Sequence, residues 1–287
     1  MEETSQSTHS GKDFVLVCSA HDPAGCNIRD RLVEEFGFQE TGKKYSSFPV
    51  YAFENIVIAT SDKEIVLTED LDDHFRDCDY VFLSRHRAES GIPSLTAHFT
   101  GNFGNEAPFG GRPREVSFCS PSFLKAYFSE LVFLCEEKDE LTNNKPYQLT
   151  VEATHHGPTS LKNPVMFVEL GSSEENWSDH LAASTISKAL VRAIHSERKK
   201  HSKVAIGLGG THYPQKINKI LLNSDVAVGH IVAKHSLEFL DQEMLSQILS
   251  KTDERVTAAV IDSKGLGSQK QRILQLVDEA GLETIKI

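Results

Sequence analysis

No stretch of about 18 apolar residues occurs anywhere in the 287-residue chain, so nothing in it reads as a membrane-spanning helix. The opening MEETSQSTHSGKDF is polar and acidic, without the basic and then apolar order of a secretory signal or the arginine of a transit peptide. Residues 1–12 are therefore expected to form a disordered tail, and the protein to be cytoplasmic. Cysteine is sparse: Cys18, Cys26, Cys78, Cys119 and Cys135 are odd in number and show no CxxC spacing. That pattern excludes a disulfide framework and a thiolate zinc site, and fits a reducing compartment. In such a compartment the acceptor-like Asn176-Trp177-Ser178 is incidental. Positive charge is short as well, 30 basic residues against 41 acidic for a net charge of -11. This opposes non-specific binding to a polyanion, so a nucleic-acid partner would need a local basic patch. G-x-S-x-G, H-E-x-x-H and the P-loop are all missing, which argues against a serine hydrolase, a zincin and a P-loop nucleotidase.

What is present is a 39% hydrophobic chain, enough for a real core. Short apolar runs such as DFVLVCSA, DYVFLSRH, KVAIGLGG and VTAAVID alternate with amphipathic segments such as NIRDRLVEEFGF and SDHLAASTISKALVRAIHSERKK. The alternation predicts an α/β protein with a mixed, largely parallel sheet flanked by helices. Pro121 suits a first helical position, Ser178 or Asp179 a helix N-cap, and Gly281 a helix end. SFPVYAF and NIVIATSD read as a hairpin, and residues 100–115 as a long loop. Residues 13–287 form a single α/β unit in this reading, with its softest internal boundary near 137–147, in EKDELTNNKP.

Histidines fall where the apolar runs stop. His86 follows YVFLS, His155 and His156 follow LTVEA, His212 follows VAIGLGG, and His230 follows VAVG. Parallel sheets bind ligands beyond the carboxyl ends of their strands, so these imidazoles point to one shared site. A single histidine at a strand end is ordinarily just a hydrogen-bonded core or surface residue, and only the coincidence of several carries the argument. If residues 148–156 are extended, alternation puts Glu152 and His156 on one face and His155 on the other. A carboxylate and an imidazole so placed could ligate a metal together, or the carboxylate could orient the imidazole as a general base; the bland alternative is a buried pair that fixes the turn at Gly157-Pro158.

Two further stretches offer substrate contacts. In GLGGTHYP, Gly209 and Gly210 let backbone amides approach an anionic group, with Tyr213 at the tip. In SRHRAESGIPSLTAHFTGN, Arg85 and Arg87 suit phosphates, and Ser90 and Asn102 suit hydroxyl or carbonyl groups; His98 lies in the same stretch. Lys125, Lys188, Arg192 and Lys203, with RKKH at 198–201, form a second basic concentration whose default reading is a solvated surface.

SRHRAESGIPSLTAHFTGN, EATHHGPTSL, FVELGSSEENW, GLGGTHY, VGHIVAK and DSKGL, in that order from residue 84 to residue 266, resemble the archaeal and plant type of D-aminoacyl-tRNA deacylase. The resemblance implies a zinc-dependent hydrolase of the ester between a D-amino acid and tRNA, including aldehyde-modified adducts, built on a core similar to peptidyl-tRNA hydrolase and the phosphorylases. It implies tRNA as partner, and carries the histidine-rich motifs onto His86, His98, His155, His156, His212 and His230, with Glu152, as the pool of metal ligands. Thr211 stands where that pattern has glycine, and Ser263 where it has tryptophan. The expected catalytic group is Glu152, His156 and His212, with Lys264 or a second imidazole at the oxyanion; a monomer is expected. The competing readings are a non-catalytic module that binds the aminoacyl-tRNA end, and a nucleoside phosphorylase or nucleosidase.

Overall fold

The computed structural model describes residues 12–137, 146–197 and 199–287. The expected tail, apart from residue 12, lies outside them. Fourteen strands and seven α-helices succeed one another among the described residues: β1 (Asp13–Ser19), α1 (Pro23–Phe36), β2 (Gln39–Tyr45), β3 (Phe48–Phe53), β4 (Ile56–Ser61), β5 (Cys78–Arg85), β6 (Ser94–Phe99), β7 (Gly101–Asn102), β8 (Glu115–Val116), α2 (Pro121–Glu136), β9 (Gln148–Val151), β10 (Val165–Gly171), α3 (Glu174–Trp177), α4 (His180–His195), β11 (Lys203–Leu208), α5 (Gln215–Asn223), β12 (Val226–Val232), α6 (Gln242–Ser250), β13 (Ala258–Ile261), α7 (Lys270–Glu279) and β14 (Glu283–Lys286).

An eight-stranded sheet runs β2-β3-β4-β1-β5-β10-β6-β9, and a four-stranded one β12-β11-β13-β14. Strands β4, β1, β5 and β10 are parallel, and the small sheet is parallel throughout. Antiparallel pairs in these sheets confine themselves to β2-β3-β4, where the hairpin is expected, and to β10-β6. The architecture is thus the α/β class with a largely parallel sheet that the alternating runs imply. Much of the boundary near 137–147 lies outside the described residues, yet β6 before it and β9 after it pair within the large sheet. The change of sheet comes later, between α4 and β11.

Period-two alternation sorts the large sheet into two faces. Val81, Leu83, Leu95, Ala97, Phe99, Met166 and Val168 pack in the main core with residues of α1, α2 and α4. That core also takes in Ala205, Val228 and Val260 of the small sheet, so the two sheets share an interior. On the opposite face Tyr80, Phe82 and Phe167 form an apolar patch, and the same face carries Ser84, Thr96, His98 and Glu169 toward the strand ends. Helix starts are chemically fixed. Asp22 accepts from the Gly25 amide ahead of α1, Pro121 opens α2, and Asp179 accepts from the Leu181 and Ala182 amides ahead of α4.

Gly25 lets α1 sit directly on β5: a Cβ there would fall 2.3 Å from the Leu83 carbonyl oxygen. Backbone cannot yield as a flexible side chain does, so Gly25→Ala is expected to cost about 3 kcal/mol of unfolding free energy, at the upper end for overpacking. Urea denaturation of the variant beside the parent checks this; an unchanged midpoint refutes the tight contact.

Candidate active site

The polar end of the large sheet meets the small sheet where the chain leaves β9. Strand pairing stops at Val151, and the next residues reach toward the small sheet: the Ala153 amide donates to the His212 carbonyl in the loop after β11, and the Thr154 amide to the Ile231 carbonyl of β12. This crossing corrects the extended reading of 148–156. Glu152 stays on the face of Thr96 and His98, but alternation does not persist to His156, whose backbone is left-handed at φ 42°. The turn carries His155 toward the carboxylate, its Nε2 4.0 Å from Glu152 Oε2.

Around that crossing the structure gathers His86, His98, His155, His156, His212, Glu152 and a residue the motifs do not single out, Glu169. Three groups of ligand-capable atoms each lie within 4.8 Å: His98 with His155 and His156, Glu152 with His155 and His212, and His86 with Glu152 and Glu169. Glu169 is legible in one respect, as the lone acid in the buried strand VMFVELG.

Hydrogen bonding fixes the imidazole tautomers. His98 Nδ1 donates to the Phe99 carbonyl at 3.1 Å, His155 Nδ1 to Ala153 at 2.9 Å and His156 Nδ1 to Gly157 at 2.7 Å. A carbonyl only accepts, so in each neutral ring the opposite nitrogen presents a lone pair, the orientation typical of metal-binding histidines. His98 Nε2 is buried without a hydrogen-bond partner, and so is Glu152 Oε1. Such atoms are costly unless something satisfies them.

Glu152 is 2% exposed, and its other oxygen accepts from His212 Nε2 at 2.7 Å. Burial would raise its pKa, but the His212 bond and the charges of His98, His86 and His212 outweigh it and hold the carboxyl down to about 2. His212 is half-buried, and its Nδ1 is the nitrogen left over. His86 is set differently. The Ser172 hydroxyl donates to the Ile92 carbonyl at 2.5 Å, so its oxygen accepts from His86 Nδ1 at 2.8 Å, and His86 Nε2 accepts the Tyr213 hydroxyl at 2.9 Å. Burial, with Glu152 and Glu169 nearby, pushes Tyr213 up to about 12 and keeps it a donor. Burial and the charge of His98 hold His156 down to about 3. His98 goes the other way: burial alone would lower it, but the Glu169 carboxylate 3.6 Å from its Nε2 outweighs burial and raises it.

Other candidate residues stand elsewhere. His230 lies inside β12, not past its end, and both its nitrogens are engaged, Nε2 with the Ser117 carbonyl at 3.0 Å and Nδ1 with the Thr154 hydroxyl at 3.1 Å. With no lone pair to spare it is a core residue, which corrects its place in the ligand pool. Asn102 donates to the Gly110 and Arg112 carbonyls and holds the long loop. Arg85 donates to the His21 carbonyl and lies over the Trp177 ring, its guanidinium carbon 5.8 Å from the centroid. Arg87 and Ser90 lie outside the cluster. Gly209, Gly210 and Lys264 line an adjoining cleft with Tyr213, and Lys264 makes none of the contacts that join the cluster.

A serine nucleophile does not fit, because the one serine touching an imidazole here, Ser172, spends its hydrogen on Ile92. A carboxylate-oriented imidazole beside unsatisfied ligand atoms, at the seam of an α/β fold, is the arrangement of a hydrolase that activates water. Similarity to known proteins narrows the class. A family model described as D-aminoacyl-tRNA deacylase matches residues 75–285. D-aminoacyl-tRNA deacylases of Cenarchaeum symbiosum and Pyrococcus abyssi are 38% and 36% identical over 271 and 279 residues, 94% and 95% of this chain and 98% and 99% of their own. A crystal structure described as a conserved protein of unknown function superposes with a TM-score of 0.86 at 32% identity, over 96% of this chain and 95% of its own. The chain belongs to the D-aminoacyl-tRNA deacylase family.

Proposed function

We propose that this site hydrolyses the ester joining a D-amino acid to the 3′-terminal ribose of tRNA, releasing the free amino acid and tRNA, and that aldehyde-modified D-aminoacyl esters are substrates as well. The observation that carries the chemistry is the Glu152–His212 pair beside two buried ligand atoms without a hydrogen-bond partner, His98 Nε2 and Glu152 Oε1. A zinc ion fits the donors of His98, His155 and His156, three nitrogen ligands whose outer nitrogens are already tied to carbonyls. This group is preferred over Glu152, His155 and His212, since Glu152 Oε2 is committed to His212. When bound, zinc supplies Lewis acidity to the site.

The chain's own groups do the rest. His212 takes the proton of the attacking water at Nδ1, while Glu152, kept ionised, stabilises the imidazolium at Nε2. Tyr213, protonated across the neutral range, donates to His86 Nε2 and fixes that ring beside the site; its hydroxyl reaches a developing oxyanion only by turning away from His86. Chiral choice comes from a pocket that admits the D side chain and collides with the L form.

Incubating the protein with D-Tyr-tRNA and L-Tyr-tRNA, with and without a chelator, tests this reading. Free D-tyrosine is expected at least about 100-fold faster than L-tyrosine, with loss on chelation and recovery on adding zinc. Turnover of neither ester removes the hydrolase reading; D-ester turnover indifferent to the chelator removes the zinc alone.

A further inference from the structure

We infer that the cleft at the carboxyl ends of β11 and β13 is the subsite for the phosphodiester backbone of the substrate's single-stranded 3′ end, gripped by Lys234 and Lys264. The inference rests on the proposed hydrolysis of aminoacyl-tRNA and extends it from the ester to the nucleotides that precede it.

A chain of net charge -11 needs a local basic surface to hold RNA. Several candidates are already committed, and Arg87, Lys199 and Lys200, exposed and without an ion pair among the described residues, do not line this cleft. Lys125 donates to the Leu221 and Ser224 carbonyls, Lys188 pairs with Glu35, Arg192 with Glu130, and Lys203 with Glu283. Arg85 is turned to the His21 carbonyl, with Glu64 3.8 Å away. Lys234 and Lys264 differ: both are exposed, and among the described residues no ion pair involves either. They come from separate motifs, VGHIVAK and DSKGL, and meet in a cleft of about 470 Å³. Lys216 is there too, paired with Asp262 at 2.7 Å, so three lysines face one aspartate.

Topology makes this cleft a ligand position. From β11 the chain leaves through α5 to β12 on one side, and from β13 it leaves through α7 to β14 on the other. Adjacent parallel strands whose connections diverge open a crevice at their carboxyl ends, the usual place for a ligand in such sheets. The crevice floor is bare backbone: Gly209 and Gly210 have φ of 90° and 86°, and a Cβ on Gly265 would lie 2.2 Å from the Gly210 nitrogen.

The cleft is also continuous with the chemistry. Tyr213 lines it and at the same time hydrogen-bonds His86, with its ring 4.9 Å from that of His212. An RNA 3′ end with its ester at His212 therefore has its preceding phosphates directed along the lysines. Tyr213 is the one aromatic ring in the lining, so charge and not base stacking is what this surface offers.

Fluorescence anisotropy on the full chain, with a labelled single-stranded oligoribonucleotide ending in CCA, tests the subsite without requiring turnover. Lys234→Gln combined with Lys264→Gln is expected to weaken binding about tenfold, and to make the slope of log affinity against log salt shallower by about 1.4, two single-strand phosphate contacts at about 0.7 each. Affinity and slope equal to those of the parent overturn the inference. So does displacement of inorganic phosphate by the two substitutions with RNA binding intact, which would make the cleft a small-anion site. A parent protein that binds RNA through both lysines but leaves D-Tyr-tRNA uncut keeps the subsite and removes the hydrolase reading; the reverse result keeps hydrolysis and removes the subsite.

Discussion

Glu152→Gln will lower kcat/KM on D-Tyr-tRNA by about 10⁴-fold while leaving the chain folded. The expectation follows from what the carboxylate does. Its Oε2 accepts from His212 Nε2, which places that proton on the outer nitrogen and leaves Nδ1 as the base. Glutamine keeps the volume and one acceptor but no charge, so the imidazolium formed when His212 takes a proton loses its counter-ion in a buried setting. Replacing an orienting carboxylate by its amide in comparable base-and-acid pairs costs on this order. Initial rates with variant and parent, alongside matched circular dichroism, decide the point. Activity within tenfold of the parent would mean that Glu152 only packs the seam. His212→Ala in the same assay should fall to a similar level, and the double variant should fall little further, because the two residues act as one unit.

Much of this arrangement is legible in the order of residues alone, and the parts that are not have physical reasons. The inner strands announce themselves as short apolar runs buried on both faces, as in VMFVELG and KVAIGL, whereas the exposed polar edge strand QETGKKY does not. Asp179, Pro121 and Gly281 mark helix ends through local geometry alone. His86, His155, His156 and His212 are readable as polar groups that follow apolar runs, and Glu152 by its spacing from His156, whereas His98, inside β6, joins the pool only through the family resemblance. Which of them meet is not readable, since it depends on backbone direction after the last strand pair. Extended alternation assigns His156 to Glu152, but after Val151 the chain turns to bond with His212 of the loop after β11 and Ile231 of β12, and the left-handed His156 reverses the order. His230 misleads for a related reason. Its partners, Ser117 and Thr154, lie more than seventy positions away, and they consume both nitrogens. Glu169 escapes notice because one acid in an apolar strand reads as an interruption until His98 is seen beside it, 3.6 Å away. Lys234 has no separate signal either, as its role comes from a crevice that only the strand order creates.

The same buried imidazoles make acid the condition this fold tolerates least. In chelator-treated protein, stability is expected to be highest near neutral pH and to fall steeply as pH drops from about 6.5 toward 4. Burial holds His230 down to about 4 and His156 down to about 3, and burial with the charges of neighbouring histidines holds His155 well below its usual range. Each is neutral when folded and charges in the unfolded chain near pH 6.5, so below that pH the unfolded state binds the extra proton and gains. Glu152, depressed to about 2, adds a further loss as pH falls below its unfolded value near 4.5. His98 opposes them: its raised folded pKa contributes stability that is complete below about 6.5 and fades as pH rises through the folded value. Between pH 6 and 4 His98 is protonated in both states, so the three depressed histidines set a net uptake of about three protons on unfolding, or about 4 kcal/mol per pH unit. His230 provides the clean check, because it sits apart from the ligand cluster and is fully buried. His230→Gln should flatten the slope of unfolding free energy against pH by about 1.4 kcal/mol per unit in that window, whatever it does to the stability at pH 7. Urea titrations at half-unit steps measure the slope. If variant and parent fall in parallel, His230 is charged in the folded state, and the assignment of its two nitrogens to Thr154 and Ser117 is wrong.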